Sequence, residues 1–351
     1  MPNPDKEQRK LIVLSHIVNE YVSGASPVSS KTVGRLMGGN ISSATVRNIM
    51  AALEDEGYIA QPHTSAGRVP TQEGYRRFVD MARDRIRLQK REAQRLRKEY
   101  DRRISTIKEV LEKTSRIISR ELNNAGLVMW PSIEDLYLKK IELVRINAEN
   151  VLAVLVTMTN AVKNHMIRLE EGLEKNDLSE IANFINENFE ARSFYDISEA
   201  LKNIAAGSGR EKGPDALRLS SRALEVIDSV IASNIENELY WEGLERFIEE
   251  PEFRELRATR RIFEAFREKR DLVRLMKGEL PDMDVQIHIG RENKSASLWG
   301  CSVVTSGYSL FGRTVGRIGV VGPTRMDYCR ALRTLRCLSG LISLKLEEIN
   351  S

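Results

Sequence analysis

The chain reads as a multidomain α+β protein: a small helical unit with a β-hairpin comes first, then a long linking helix, then an α+β body interrupted by a helical insertion. Three observations predict this. At 351 residues the chain exceeds what one hydrophobic core usually supports. Helical spacing of apolar residues dominates up to about residue 122, whereas 136–168 and 285–326 read as strands. Between those strand-rich blocks, residues 206–281 return largely to amphipathic helices.

The N-terminal elements follow from spacing and caps. Leu11, Leu14, Ile17, Val18 and Tyr21 share one face of a helix over 5–23, which Gly24 ends. After the turn SGASPV, Ser29 or Ser30 caps a second helix that turns Val33, Leu36 and Met37 inward before Gly38 and Gly39. Ser42 caps a third, in which Val46, Ile49, Met50 and Leu53 form the buried stripe. That leaves Ser43, Ala44, Arg47 and Asn48 outward on the first two turns. Gly57 breaks this helix, Tyr58 to Gln61 extend, and PHTSAGRVP supplies Gly67 and two prolines for a tight turn with Arg68 at or near its tip. A helix-turn-helix followed by a basic hairpin is the pattern of a winged helix, whose third helix enters a major groove while the hairpin touches the backbone.

From Gln72 to about Leu122 the only glycine is Gly74, and no proline occurs. Ala93, Leu96, Tyr100, Ile104, Ile107, Leu111, Thr114 and Ile118 recur at spacings of three and four, which predicts one linking helix packed on a partner. Next come a hairpin over 136–158, a third strand near 163–170 and a helix at LSEIANFINENF. VQIHIG, LWGCSVVTSGY and GRIGVVGPTRM are strands, and a helix runs from Asp327 to about Leu346. Within the expected insertion, Trp241, Leu244, Phe247, Phe253 and Phe263 crowd together, which suits either packing inside the insertion or burial against a second copy of the chain.

Charge and composition narrow the function. Residues 1–103 carry nineteen Lys and Arg against twelve Asp and Glu, and the remainder is slightly acidic, so a basic module joins a slightly acidic body, which suits a nucleic-acid-binding end as well as a solvated charged surface. No run approaches the roughly 18 apolar residues of a membrane span, and MPNPDKEQRK lacks a signal peptide's apolar segment, so a cytoplasmic protein is expected. Cys301, Cys329 and Cys337 are odd in number and far from histidines, which argues against a disulfide framework and against zinc. His16, His63, His165 and His288 have no ligand spacing, the glycines of GRTVGRIGVVGP lack dinucleotide-site spacing, and no nucleophile motif occurs. The expectation is therefore no enzyme, no metal and no cofactor.

PVSSKTV followed by SSATVRNIMAALEDEGYIAQPHTSAGRVPTQEGYRRFVD resembles the N-terminal domain of the heat-inducible transcription repressor family HrcA. Helices of the form SxATVRxxxxxLExxG also occur in GntR-like winged-helix regulators, and the hairpin block separates the two. The resemblance extends through the PEF segment at Pro251 to Phe253 and the terminal block IGRENKSASLWGCSVVTSGY. It implies a winged helix (1–80), a linking helix (81–122) and a GAF-like domain (123–205 and 282–351) into which a dimerising domain (206–281) is inserted. It also implies a homodimer that binds CIRCE, the inverted-repeat operator of chaperonin and DnaK-chaperone genes, with the chaperonin as modulator. The residues placed on DNA are Ser43, Ala44, Thr45, Arg47 and Asn48 from the third helix, His63, Thr64, Ser65 and Arg68 from the hairpin, and Lys31 as a phosphate contact. The rival reading is a GntR-like regulator whose GAF-like domain senses a small effector.

Overall fold

The computed structural model describes residues 4–38, 41–64, 66–83, 90–100, 104, 106–129, 133, 136–158, 162–168, 175–205, 214–233, 239–253, 256–268, 270–277 and 283–350. Its N-terminal unit comprises α1 (Pro4–Gly24), α2 (Ser30–Leu36), α3 (Ser43–Asp55) and the hairpin β1 (Ile59–Ala60) and β2 (Val69–Pro70). Val13, Leu14, Ile17, Val33, Val46, Met50 and Leu53 close its core. Leu36, expected to face inward, is instead exposed, because α2 ends there and only Met37 beyond it turns back onto the core.

Three helices follow: α4 (Gln72–Arg83), α5 (Lys90–Tyr100) and α6 (Ile107–Leu122). The single linking helix expected over this stretch is thus folded back on itself. Arg95 reaches Glu121 at 2.8 Å and Glu99 accepts from Arg120 at 2.6 Å. In one straight helix, residues 95 and 121 would lie about 39 Å apart at 1.5 Å per residue. Thr106 accounts for the break: its side chain accepts from the Glu109 N–H and caps a new helix. The repeating stripe is real, but it packs within the chain. Tyr100 bonds Thr114, and Leu96, Leu111 and Ile118 are fully buried, each stabilising by about 1.5–3 kcal/mol.

The body is built on a five-stranded antiparallel sheet. It contains β3 (Ala125–Met129), β7 (Leu239–Glu242), β8 (Gln286–Ile289), β9 (Cys301–Leu310) and β10 (Arg313–Pro323), in the order β7-β3-β10-β9-β8. One face packs on α6 and on α13 (Tyr328–Asn350). The other face carries a core formed with α10 (Leu244–Ile248), α11 (Leu256–Glu268) and α12 (Arg270–Lys277). Separately, β4 (Leu138–Arg145), β5 (Asn150–Thr157) and β6 (Val162–Arg168) form a three-stranded antiparallel sheet covered by α7 (Lys175–Phe189), α8 (Phe194–Ala205) and α9 (Pro214–Ser233).

This divides the chain differently from the expected insertion at 206–281. Strand β7 pairs with β3, Leu239 opposite Met129 and Glu242 opposite Gly126, so β7 and the helices α10, α11 and α12 belong to the sheet body. The unit set into the body instead spans 133–233, where Ile141, Leu155, Ile167, Ile185, Phe194 and Ile227 close a core of their own. Strand β3 is buried at every position and β7 is four residues long, so neither displays the alternation by which a strand is recognised. Among the described residues no helix is long and apolar enough to cross a membrane.

Candidate nucleic-acid interface

Helix α3 begins abruptly because Ser42 accepts from the Thr45 N–H at 3.1 Å. Val46, Met50 and Leu53 hold one face of the helix in the core, and Ser43, Ala44, Thr45, Arg47 and Asn48 all stand exposed on the other. The first turn carries no acidic residue. Acid collects at the far end, where two of the three carboxylates are matched internally. Glu54 pairs with Arg68, and Glu56 with Lys10, whose ammonium is held above its ordinary pKa first by the Glu56 hydrogen bond and then by that of Glu7. The leading half of α3 is therefore left positive, the helix dipole adding to Arg47.

Helix α2 contributes from the neighbouring face. Ser29 caps it by accepting from the Thr32 N–H at 3.1 Å, and Lys31 is exposed. So is Arg35, one turn further on, which the sequence reading left out although the i, i+4 spacing from Lys31 places both on one side. Among the described residues Lys31, Arg35 and Arg47 form no ion pair, so their charges are available to an anionic partner.

The hairpin is shaped by a residue the sequence did not single out. The Gln61 side-chain amide donates to the Thr64 and Ala66 carbonyls, at 2.8 and 3.1 Å, and so folds the turn that presents His63 and Thr64 to solvent. Ser65 lies outside the described residues. Arg68 is not at the tip, contrary to expectation. Its N–H and C=O pair with those of Val28, at 2.9 and 2.8 Å, and its guanidinium meets Glu54 at 2.8 Å. The pairing with Val28 brings the two backbones so close that a Cβ at Gly67 would collide with the Val28 carbonyl, which fixes Arg68 at the hairpin base.

The aromatic cluster, which suits either internal packing or burial against a second copy, lies largely in the chain's own core. Phe253 is buried, Trp241 stacks edge-on against Phe266 at 6.2 Å, and Leu244 packs beside them. Phe263 is half exposed, and the Phe247 side chain lies outside the described residues. Among the described residues no three His, Cys, Asp or Glu side chains are grouped to hold a metal.

A capped helix with a polar leading face, a supporting basic helix and a hairpin, mounted on a larger α+β body, define a DNA-binding transcription regulator. The family model described as HrcA protein C terminal domain matches residues 108–332. The heat-inducible transcription repressor HrcA of Syntrophobacter fumaroxidans is 34% identical over 98% of both chains. The repressor of the same name from Geobacter sulfurreducens is 34% identical over 98% of this chain and 99% of its own. The chain belongs to the HrcA family of heat-inducible transcription repressors. A crystal structure described as that of a hypothetical protein shares the overall fold, with a TM-score of 0.63 at 25% identity over 97% of this chain and 98% of that one.

Proposed function

We propose that the chain represses chaperonin and DnaK-chaperone operons by binding the CIRCE inverted repeat as a homodimer until heat shock releases it. The observation that carries the reading is the exposed, acid-free leading half of α3 beside the exposed Lys31 and Arg35. In this reading the N-terminal unit is a winged helix, α3 reads one half-site in the major groove, and His63 and Thr64 touch the flanking backbone. The five-stranded sheet with its helices is the GAF-like domain.

Pairing of two copies is supported by the 133–233 unit rather than by the aromatic cluster. The outer face of its sheet carries Val144, Leu152, Val154, Val156, Val162 and Met166, with Val144, Leu152 and Met166 in one cross-strand row. Val162 and Met166 are more than half exposed, so this face forms an apolar patch of the kind that mates with a second copy. A symmetric dimer then matches an inverted repeat arm for arm.

An electrophoretic shift with the CIRCE duplex over a temperature series, with and without chaperonin, tests the proposal. The expected result is a specific complex at low temperature, lost on heating and recovered better when chaperonin is present. Equal affinity for CIRCE and a scrambled duplex would remove the specific-operator reading. A change on adding a metabolite extract would instead support effector sensing.

A further inference from the structure

We infer that Arg325 is a positioning residue for DNA reading: it holds the N-terminal unit at one fixed angle to the body by capping the C-terminal end of α1. The inference rests on the DNA-binding reading above. The last four carbonyls of a helix lack partners within it, and their partial negative charge attracts a cation. Helix α1 has no basic residue in its last turn, and the body supplies one. Arg325, just beyond β10, donates from Nη1 to the Val22 carbonyl at 2.8 Å.

Arg325 is itself locked in place. Its Nε donates to Glu252 and its Nη2 to Glu250, both at 2.7 Å, and its side chain is only 11% exposed. Glu250 and Glu252 flank Pro251, in the segment after β7, so the guanidinium joins three parts of the chain that are far apart in sequence. The planar fork serves acceptors in three directions at once, which a lysine ammonium on its flexible stem does poorly.

A second anchor makes the attachment directional. Strand β8 is an edge strand, and the main-chain groups of residues 285, 287 and 289 point away from β9. Arg83 of α4 donates to the Val285 carbonyl at 3.1 Å, Arg76 to the Ile287 carbonyl at 2.7 Å, and Glu292 accepts from the Ile289 N–H at 2.8 Å. Arg76 and Glu292 then pair with each other, and Gln72 accepts from the Arg291 N–H at 3.2 Å. Tyr75 of α4 also packs against Tyr328 with the rings tilted at 52° and their centroids 5.7 Å apart.

One anchor would leave a hinge, whereas a second, on α4, which follows β2 and packs against α1, fixes an angle. The angle matters because DNA turns once in about 10–10.5 base pairs, so one base pair of altered spacing rotates a half-site by roughly a tenth of a turn. A held unit penalises the wrong spacing, and a swinging one tolerates it.

The test uses full-length Arg325→Met and Arg325→Lys chains in two measurements. In amide hydrogen exchange, α1's last turn and α4 are expected to open at least about tenfold more readily in Arg325→Met, while the β4–β6 amides stay unchanged as evidence of retained folding. Unchanged protection at α1 and α4 overturns the positioning role. In DNA binding at fixed salt, the wild-type chain is expected to discriminate steeply against operators whose arms are respaced by one or two base pairs. Arg325→Met should lose at least about fivefold of that discrimination yet bind a single half-site within about twofold of wild type, with Arg325→Lys in between. Parallel losses on half-site and intact operator would reduce Arg325 to a stabilising contact and overturn the proposal. A wild-type chain indifferent to spacing would instead sink the paired-reader reading, which the exchange result does not depend on.

Discussion

The charge of Arg68 is already spoken for: Glu54 holds it at 2.8 Å at the hairpin base. A basic residue in a hairpin beside a DNA-reading helix would ordinarily be expected to release one condensed counterion, and so to change the slope of log affinity against log salt by about 0.9. The ion pair reverses that expectation. Arg68→Met should leave the salt slope unchanged, whereas Glu54→Gln, which frees the guanidinium, should steepen it by up to about 0.9; anisotropy titrations between about 50 and 200 mM salt measure both. A flattened slope in Arg68→Met would return Arg68 to the phosphate. Arg47 has no such partner among the described residues, so Arg47→Ala is expected to cost about 1–3 kcal/mol on the operator and relax specificity, with a competition assay against single-base variants as the measurement. The difference in legibility between the two arginines is physical. The exposure of Arg47 follows from a local stripe of four apolar residues, whereas the position of Arg68 depends on a backbone pairing with Val28 that no local pattern encodes.

Among the elements, the linking segment carries the clearest lesson. The spacing from Leu96 to Ile118 identifies which residues are buried, but a stripe at helical period cannot say whether its partner is another chain or its own continuation. The antiparallel arrangement of α5 and α6 is held at one end by Glu121, 5% exposed, with Arg95, Arg120 and Arg330 around it. The hydrogen bond from Arg95 draws the Glu121 pKa below its ordinary 4.5, outweighing the opposing effect of burial. A carboxylate with a lowered folded-state pKa contributes stability that is complete above the unfolded value and is lost as pH falls through the folded one. Stability of the α5–α6 pair should therefore be constant above about pH 4.5 and decline below it, and Glu121→Gln should shrink the acid-dependent part. Denaturation midpoints for both chains, taken from about pH 6 down to pH 3, decide this. Identical acid slopes would take the linkage away from Glu121. Strands β3 and β7 illustrate the opposite limit, since a fully buried strand of five residues and a strand of four leave almost nothing periodic to read, and the boundary of the inserted unit moved with them.

At the scale of the whole molecule, the proposed dimer would hold two DNA-reading units together through a face remote in sequence from either of them. Val162 and Met166 are exposed in the single chain, so replacing both with lysine changes its stability little, within about 0.5 kcal/mol for each such surface site. In a dimer mated through that face the same substitutions bury four unpaired ammonium groups, two from each copy, at a cost no rearrangement of rim residues can recover. The Val162→Lys, Met166→Lys chain is thus expected to sediment as a monomer whose unfolding midpoint matches that of the wild-type chain diluted until it dissociates. Its affinity for the intact inverted repeat should drop by about 10²–10⁴, the contribution of linking two half-site contacts, while its affinity for one half-site stays near that of the wild type. A dimer in sedimentation would clear this face of the role. Because association makes apparent stability depend on protomer concentration, the wild-type midpoint should also rise with dilution reversed, from low to high concentration, and the lysine variant's should not. In the proposed dimer heat then has a physical target: operator affinity is expected to fall on warming as the joint between copies opens, before the cores of the individual units melt, and sedimentation and calorimetry over one temperature series compare the two events.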